Sequence, residues 1–218
     1  MAIPKPLSAE DTSQALTMLR KAGCNEIDTA LMYQGSETER VLGEVGVQEF
    51  VVATKANPWY HDGKTCNEPM AGLAPDLVEE QLRSSLKSLK LPKVQLFYLH
   101  APDHDTDLLA TLGAVDKLCK EGLFEEWGLS NYSAWEVVHI WHLCRENGFV
   151  KPSCYQGMYN MVTRAVEAEL LPALRAVGMR FNAYNPLAGG ILTGRYSFDG
   201  AEASGRFNTE TVWGQRYR

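Results

Sequence analysis

Residues 94–100 read Val94-Gln95-Leu96-Phe97-Tyr98-Leu99-His100, an apolar run that stops on a histidine. A short apolar run rich in aromatic and branched side chains is a buried β-strand. A buried strand has no structural need of a titratable group at its C-terminal end. The same layout recurs along the chain. Glu26–Ala30 carries Asp28 and is followed by Tyr33, and Phe50–Lys55 ends on Lys55. Glu125–Asn131 ends on Ser130 and Asn131, Ser153–Tyr159 holds Gln156, and Arg180–Pro186 contains Tyr184 and Asn185. Polar groups at the C-terminal ends of many strands are the mark of a barrel, whose site is assembled there. An open doubly wound sheet would gather them at one crevice. Neither a G-x-G-x-x-G nor a G-x-x-x-x-G-K-[ST] occurs, so the usual nucleotide signatures of open sheets are missing.

Helical spacing fills the intervals. In 75–90, Val78, Leu82, Leu86 and Leu89 share one face, and Pro75 suits a first helical turn. Ser133 with Glu136, and Ser36 with Glu39, have capping-box spacing at two more helix starts. Segments 106–121 and 164–177 stop at Gly122 and Gly178, as helix ends do. One helix followed by about six strand–helix alternations predicts a parallel sheet closed toward a barrel. Strands are expected near 26–30, 50–55, 95–100, 125–130, 153–157 and 180–184.

Composition narrows the function classes. Twenty-one basic and 27 acidic residues give a net charge of −6, which argues against nucleic acid as a partner. No apolar run approaches the ~20 residues of a membrane span, and the N-terminus lacks a signal-peptide layout. Five scattered cysteines without a C-x-x-C predict reduced thiols and a cytoplasmic location. The histidine pairs His139/His142 and His100/His104 have no third ligand at a convincing spacing, so no metal is expected.

Asp28, Tyr33, Lys55 and His100 form one chemical constellation. A free tyrosine titrates at ~10, and a cation beside its phenol favours the phenolate. Lys55 supplies such a cation, and Asp28 a carboxylate to orient it. His100 can donate a hydrogen bond to a substrate carbonyl while Tyr33 protonates the oxygen as general acid. Hydride must come from a cofactor, because no side chain provides it. Asn131 and Gln156 offer amides for a nicotinamide carboxamide, and Tyr184 a flat ring. Each residue alone has a plainer reading: a solvated lysine, a structural histidine, a core tyrosine, a turn aspartate.

Six segments in fixed order resemble the aldo-keto reductases. E-I-D-T-A-L-M-Y (26–33) resembles the signature in which Asp and Tyr stand five apart. V-V-A-T-K (51–55) and L-F-Y-L-H (96–100) resemble the strands carrying its Lys and His. G-L-S-N-Y (128–132), Y-Q-G-M-Y-N (155–160) and N-P-L-A-G-G-I-L-T-G-R (185–195) resemble its cofactor-binding segments. The wording is nearest the aflatoxin-aldehyde reductase branch, notably K-A-N-P-W, L-H-A-P-D-H and G-R-F. The resemblance spans residues 9–218. It implies a single domain over 1–218, an α/β (β/α)8 TIM barrel that reduces aldehydes or ketones with NADP(H).

Carried over position by position, it implies Tyr33 as proton donor, tuned by Asp28 and Lys55, with His100 orienting the carbonyl. Asp28, Ser130, Asn131, Gln156 and Tyr184 would hold the nicotinamide end. Asn185, Pro186, Leu187, Ala188, Gly189, Gly190, Ile191, Leu192, Thr193, Gly194 and Arg195 would wrap the pyrophosphate. Arg206 would lie near the cofactor and Tyr217 near the substrate. Gln95, where the family usually has Asp, and a longer 60–74 stretch depart from the pattern.

A full barrel needs eight strands and typically ~250 residues. By the resemblance the first and last strands lie outside residues 1–218, with the loop that grips the 2′-phosphate. An incomplete barrel with impaired NADPH binding, little NADPH-over-NADH preference and poor solubility is therefore expected; homodimer formation is left open. Two other functional classes compete. One is a Schiff-base lyase using Lys55 as nucleophile. The other is a non-catalytic or regulatory binding module, or an incomplete gene product.

Overall fold

The computed structural model describes residues 8–61, 64–65 and 72–194. Six strands form one sheet: β1 (Glu26–Asp28), β2 (Val51–Ala56), β3 (Val94–Leu99), β4 (Phe124–Ser130), β5 (Cys154–Met158) and β6 (Arg180–Tyr184). They lie side by side in chain order and every pairing is parallel. Each falls where the apolar runs place it. A two-residue antiparallel pair, Tyr60–His61 with Lys64–Thr65, was not expected and sits between β2 and the next helix.

Among the described residues, six α-helices accompany the strands: α1 (Ala9–Lys21), α2 (Glu37–Val45), α3 (Pro75–Leu89), α4 (Leu108–Lys120), α5 (Ala134–Glu146) and α6 (Leu170–Val177). Local chemistry sets most of their ends. Pro75 opens α3 where no N–H partner is required. Asp107 caps α4 by accepting from the Ala110 N–H at 2.8 Å. Ser133 and Glu136 form the capping box of α5, with Glu136 Oε2 accepting from the Ser133 N–H at 2.8 Å. Gly122 and Gly178 take the left-handed conformation after α4 and α6.

Two helix expectations need correction. Ser36 does not cap α2: its φ is 74° and its side chain makes no cap bond. The Glu39 side chain is instead buried and accepts from Thr54 Oγ1 of β2 at 2.5 Å, so it cannot reach back to close a box. The segment 164–177 is not one helix. A 3₁₀ turn at Ala165–Glu167, pinned by an Arg164–Glu167 ion pair, precedes the shorter α6.

Alternate strand residues serve two separate apolar layers. Val52, Ala56, Phe97, Leu99, Trp127, Leu129 and Tyr155 point to the helices and join Val78, Leu82, Leu89 and Ile140 in the main core. Ala53, Leu96, Tyr98 and Cys154 form a second cluster on the opposite face. Each fully buried Leu or Val of this kind contributes roughly 1.5–3 kcal/mol.

The second face is the inside of a curl. In a flat sheet β1 and β5 would be four strand spacings apart, ~19 Å. Yet Gln156 Nε2 on β5 donates to Asp28 Oδ1 on β1 at 2.9 Å. Likewise Asn182 of β6 donates to the Tyr98 hydroxyl of β3 at 3.1 Å. The six parallel strands are therefore a partial (β/α) barrel with helices outside. This curl carries residues from both flanks of the sheet to one mouth.

Candidate active site

The mouth forms where the C-terminal ends of the strands converge. Asp28 ends β1, Lys55 lies on the inner face of β2, and His100 follows β3 directly. Tyr33 sits in the turn after β1, whose N–H bonds to Ala30 O at 3.0 Å.

Lys55 is 1% exposed, an expensive place for an ammonium group unless its donors are met. All three are. Nζ donates to Asp28 Oδ2 at 2.6 Å, to the Thr29 carbonyl at 2.8 Å and to the Tyr33 hydroxyl at 3.3 Å. Among the described residues the Tyr33 hydroxyl only accepts, so its own proton has no acceptor within this group. Asp28 bridges further, taking the Gln156 amide on its second oxygen.

His100 packs edge-on against Tyr33, ring centroids 5.8 Å apart, and against Trp59 at 6.3 Å. Burial first, then the neighbouring Lys55 charge, push its pKa down to about 3, so the imidazole is neutral at physiological pH. Its Nδ1 is buried without a hydrogen-bond partner among the described residues. A bare lone pair is cheaper to leave there than an N–H, which favours the proton on Nε2.

A second hydrogen-bonded group adjoins the first. Asn131, at φ 63°, donates from Nδ2 to the His100 carbonyl at 2.8 Å and to Ser130 Oγ at 3.1 Å. Its Oδ1 accepts from the Tyr184 hydroxyl at 2.8 Å. Asn185 Oδ1 accepts from the Gly189 N–H at 2.6 Å, opening the 3₁₀ segment Ala188–Thr193. Gly189 at φ 69° and Gly190 at φ 107° take conformations that side chains resist, and the Gly190 N–H bonds inward to the Leu187 carbonyl at 2.9 Å.

The structure thus joins Asp28, Tyr33, Lys55 and Gln156 directly, packs His100 on Tyr33, and ties Ser130, Asn131 and Tyr184 to the His100 backbone. Asn185 through Gly194 follow on the same side. Arg195, Arg206 and Tyr217 lie outside the described residues. Trp59 is a member that reading residue by residue did not single out. Its signal in the sequence is the K-A-N-P-W segment, which ends on it three residues past β2.

Comparison with known proteins gives the family. The model of the Aldo/keto reductase family matches residues 1–215. The chain belongs to the aldo/keto reductase family. Aflatoxin B1 aldehyde reductase member 2 of Rattus norvegicus is 47% identical over 100% of this chain and 59% of its own length. Aflatoxin B1 aldehyde reductase member 4 of Homo sapiens is 48% identical over 95% of this chain and 62% of its own. The human aldo-keto reductase family 7 member A3 is 46% identical, again over 95% and 62%. The chain spans about 60% of the length of these curated relatives.

Proposed function

We propose that this chain carries the reaction centre of an NADP(H)-dependent reductase of aldehydes and ketones, with residues 1–218 forming one partial barrel domain. The observation that carries the reading is the Lys55 ammonium held by Asp28, Thr29 and Tyr33. A tyrosine that accepts from lysine keeps its proton for another acceptor, and a carbonyl oxygen in the mouth is a suitable one. His100, neutral and with Nε2 as its donor, hydrogen-bonds the same oxygen and sets its angle.

The cofactor would supply hydride to the carbonyl carbon. The donor set suits a dinucleotide: Ser130, Asn131, Gln156 and Tyr184 would hold the nicotinamide, and the turn at 185–194 the pyrophosphate, with Arg195 and Arg206 as cations beyond it. Tyr217 would face the substrate. Preference for NADP(H) rests on the resemblance to the aflatoxin-aldehyde reductase branch. The substrate is a small aldehyde or ketone.

Lys55 fits the Schiff-base alternative less well. A nucleophilic amine needs an available lone pair, whereas Lys55 directs three N–H donors at three oxygens. A cytoplasmic location is read from the thiols: Cys24, Cys119, Cys144 and Cys154 are all unbridged. No helix among the described residues is long and apolar enough to cross a membrane.

Tyr33→Phe tests the proposal. It should lower aldehyde reduction by roughly 10²-fold or more, the range of one general acid, with NADPH affinity near that of the parent. Unchanged turnover would exclude Tyr33 as the acid.

A further inference from the structure

The wall that Trp59 forms beside His100 is held from behind by a side chain that touches neither. Gln81 lies on α3, fully buried, on the helix-facing side of the sheet. An amide side chain has one acceptor oxygen and two N–H donors to satisfy when it is buried. Here Oε1 accepts from the Asn57 N–H at 2.9 Å and from Asn57 Nδ2 at 3.2 Å. Nε2 donates to the Asn57 carbonyl at 3.2 Å and to the Gly72 carbonyl at 2.7 Å. One glutamine therefore grips both ends of the 57–72 excursion.

The grip is passed on to Trp59. Asn57 Oδ1 accepts from the Trp59 N–H at 3.1 Å, and the Gly72 N–H donates to the Pro58 carbonyl at 2.9 Å. Gly72 allows the two strands of chain to touch. A Cβ there would lie 2.6 Å from the Asn57 carbonyl oxygen, 2.7 Å from the Tyr60 nitrogen and 2.8 Å from the Pro58 oxygen, all backbone atoms. The next residue is tied to the loop that follows His100. The Leu73 N–H donates to Asp103 Oδ2 at 3.0 Å, and its carbonyl accepts from Thr111 Oγ1 at 2.7 Å. The base of the 57–72 excursion is thus referenced both to α3 and to the segment that carries His100.

We propose that Gln81 is a positioning residue that, through Asn57 and Gly72, sets Trp59 against His100 and so shapes the carbonyl-facing wall of the mouth. Its consequence for substrate rests on the reductase reading; its consequence for Trp59 does not. Buried polar groups satisfied at every atom rigidify what they join, and a lost partner is costly. A wall fixed in this way presents one shape to an incoming aldehyde.

The test labels the 218-residue chain with 5-fluorotryptophan and assigns the Trp59 resonance by Trp59→Phe. Gln81→Leu and Gly72→Ala are each expected to move or broaden the Trp59 signal and shift the His100 ring protons, with the Trp127 signal unmoved. Trp127 is the control because it is buried in the main core. In aldehyde assays of the same variants, KM should rise roughly tenfold with kcat and NADPH affinity little changed. Unaltered Trp59 and His100 signals in both variants would overturn the proposal. Collapse of Trp127 together with Trp59 in both would overturn it too, since Gln81 would then hold the fold rather than the wall. Absence of turnover in the unsubstituted chain would count against the reductase reading alone, because the fluorine arm decides the positioning role without it.

Discussion

The two sides of the mouth are built differently. On the side of β1–β3, Lys55 is buried and its three donors converge on Asp28, Thr29 and Tyr33. On the side of β4–β6, Asn131 is exposed, Tyr184 and Asn185 are half-buried, and Leu187 is 53% exposed. The first side has every Lys55 donor met by protein oxygens. The second has its amides engaged within the protein, Asn131 with the His100 carbonyl and the Tyr184 hydroxyl, Gln156 with the Asp28 carboxylate. A nicotinamide carboxamide would have to exchange with those bonds rather than fill open valences. On the proposed reading, the proton-donating side would be preorganised, and the cofactor side would exchange internal bonds for ligand bonds.

The sharpest way to break that comparison is to damage each side separately. Lys55→Met should cut turnover by about 10²-fold or more while NADPH binding changes little, because positioned acid–base groups contribute on that scale. Asn131→Ala should do the reverse. It removes hydrogen bonds worth ~0.5–1.5 kcal/mol each, so NADPH affinity should fall roughly tenfold, with a smaller change in kcat. Fluorescence titration and steady-state rates measure both. Equal losses of binding and turnover in the two variants would show that the sides are not separable.

Glu39 gives a smaller effect with a defined sign. It is buried under Thr54 and Ser85, and burial raises its pKa above the ordinary 4.5, against weaker lowering by those hydroxyls and by Lys55. The folded chain therefore holds this proton more tightly than the unfolded chain. Its contribution to stability is full below the unfolded pKa and is lost as pH rises through the folded one. Glu39→Gln cannot ionise, so its melting temperature relative to the parent should climb between pH 4.5 and pH 8, by a few degrees. A difference that stays constant across that range would mean Glu39 does not titrate there.

How much of this was legible beforehand follows the same division. Strands and the α3 face were readable because burial on both sides of β2, β3 and β4 demands unbroken apolar runs, and polar strand ends then stand out. Lys55 and His100 were visible for that reason. The Ser36 start failed because capping-box spacing says nothing of whether Glu39 prefers a partner 15 residues away, Thr54. Trp59 was visible only inside K-A-N-P-W and Gln81 not at all, since its role depends on Asn57 and Gly72 meeting at α3, a contact no local pattern announces. The Asn131–Tyr184 bond was hidden likewise, as it joins two strands that are not neighbours in the sheet.

The central proposal is that a substrate carbonyl carbon held beside Tyr33 and His100 would take a hydride from the cofactor while Tyr33 protonates the oxygen. Incubating the purified chain with NADPH deuterated at the transferable position and a small aromatic aldehyde tests it most directly. The account predicts an alcohol carrying one deuterium at the former carbonyl carbon, formed by the parent and nearly absent with Tyr33→Phe. Alcohol without deuterium, or equal labelling by the Tyr33→Phe variant, would contradict it.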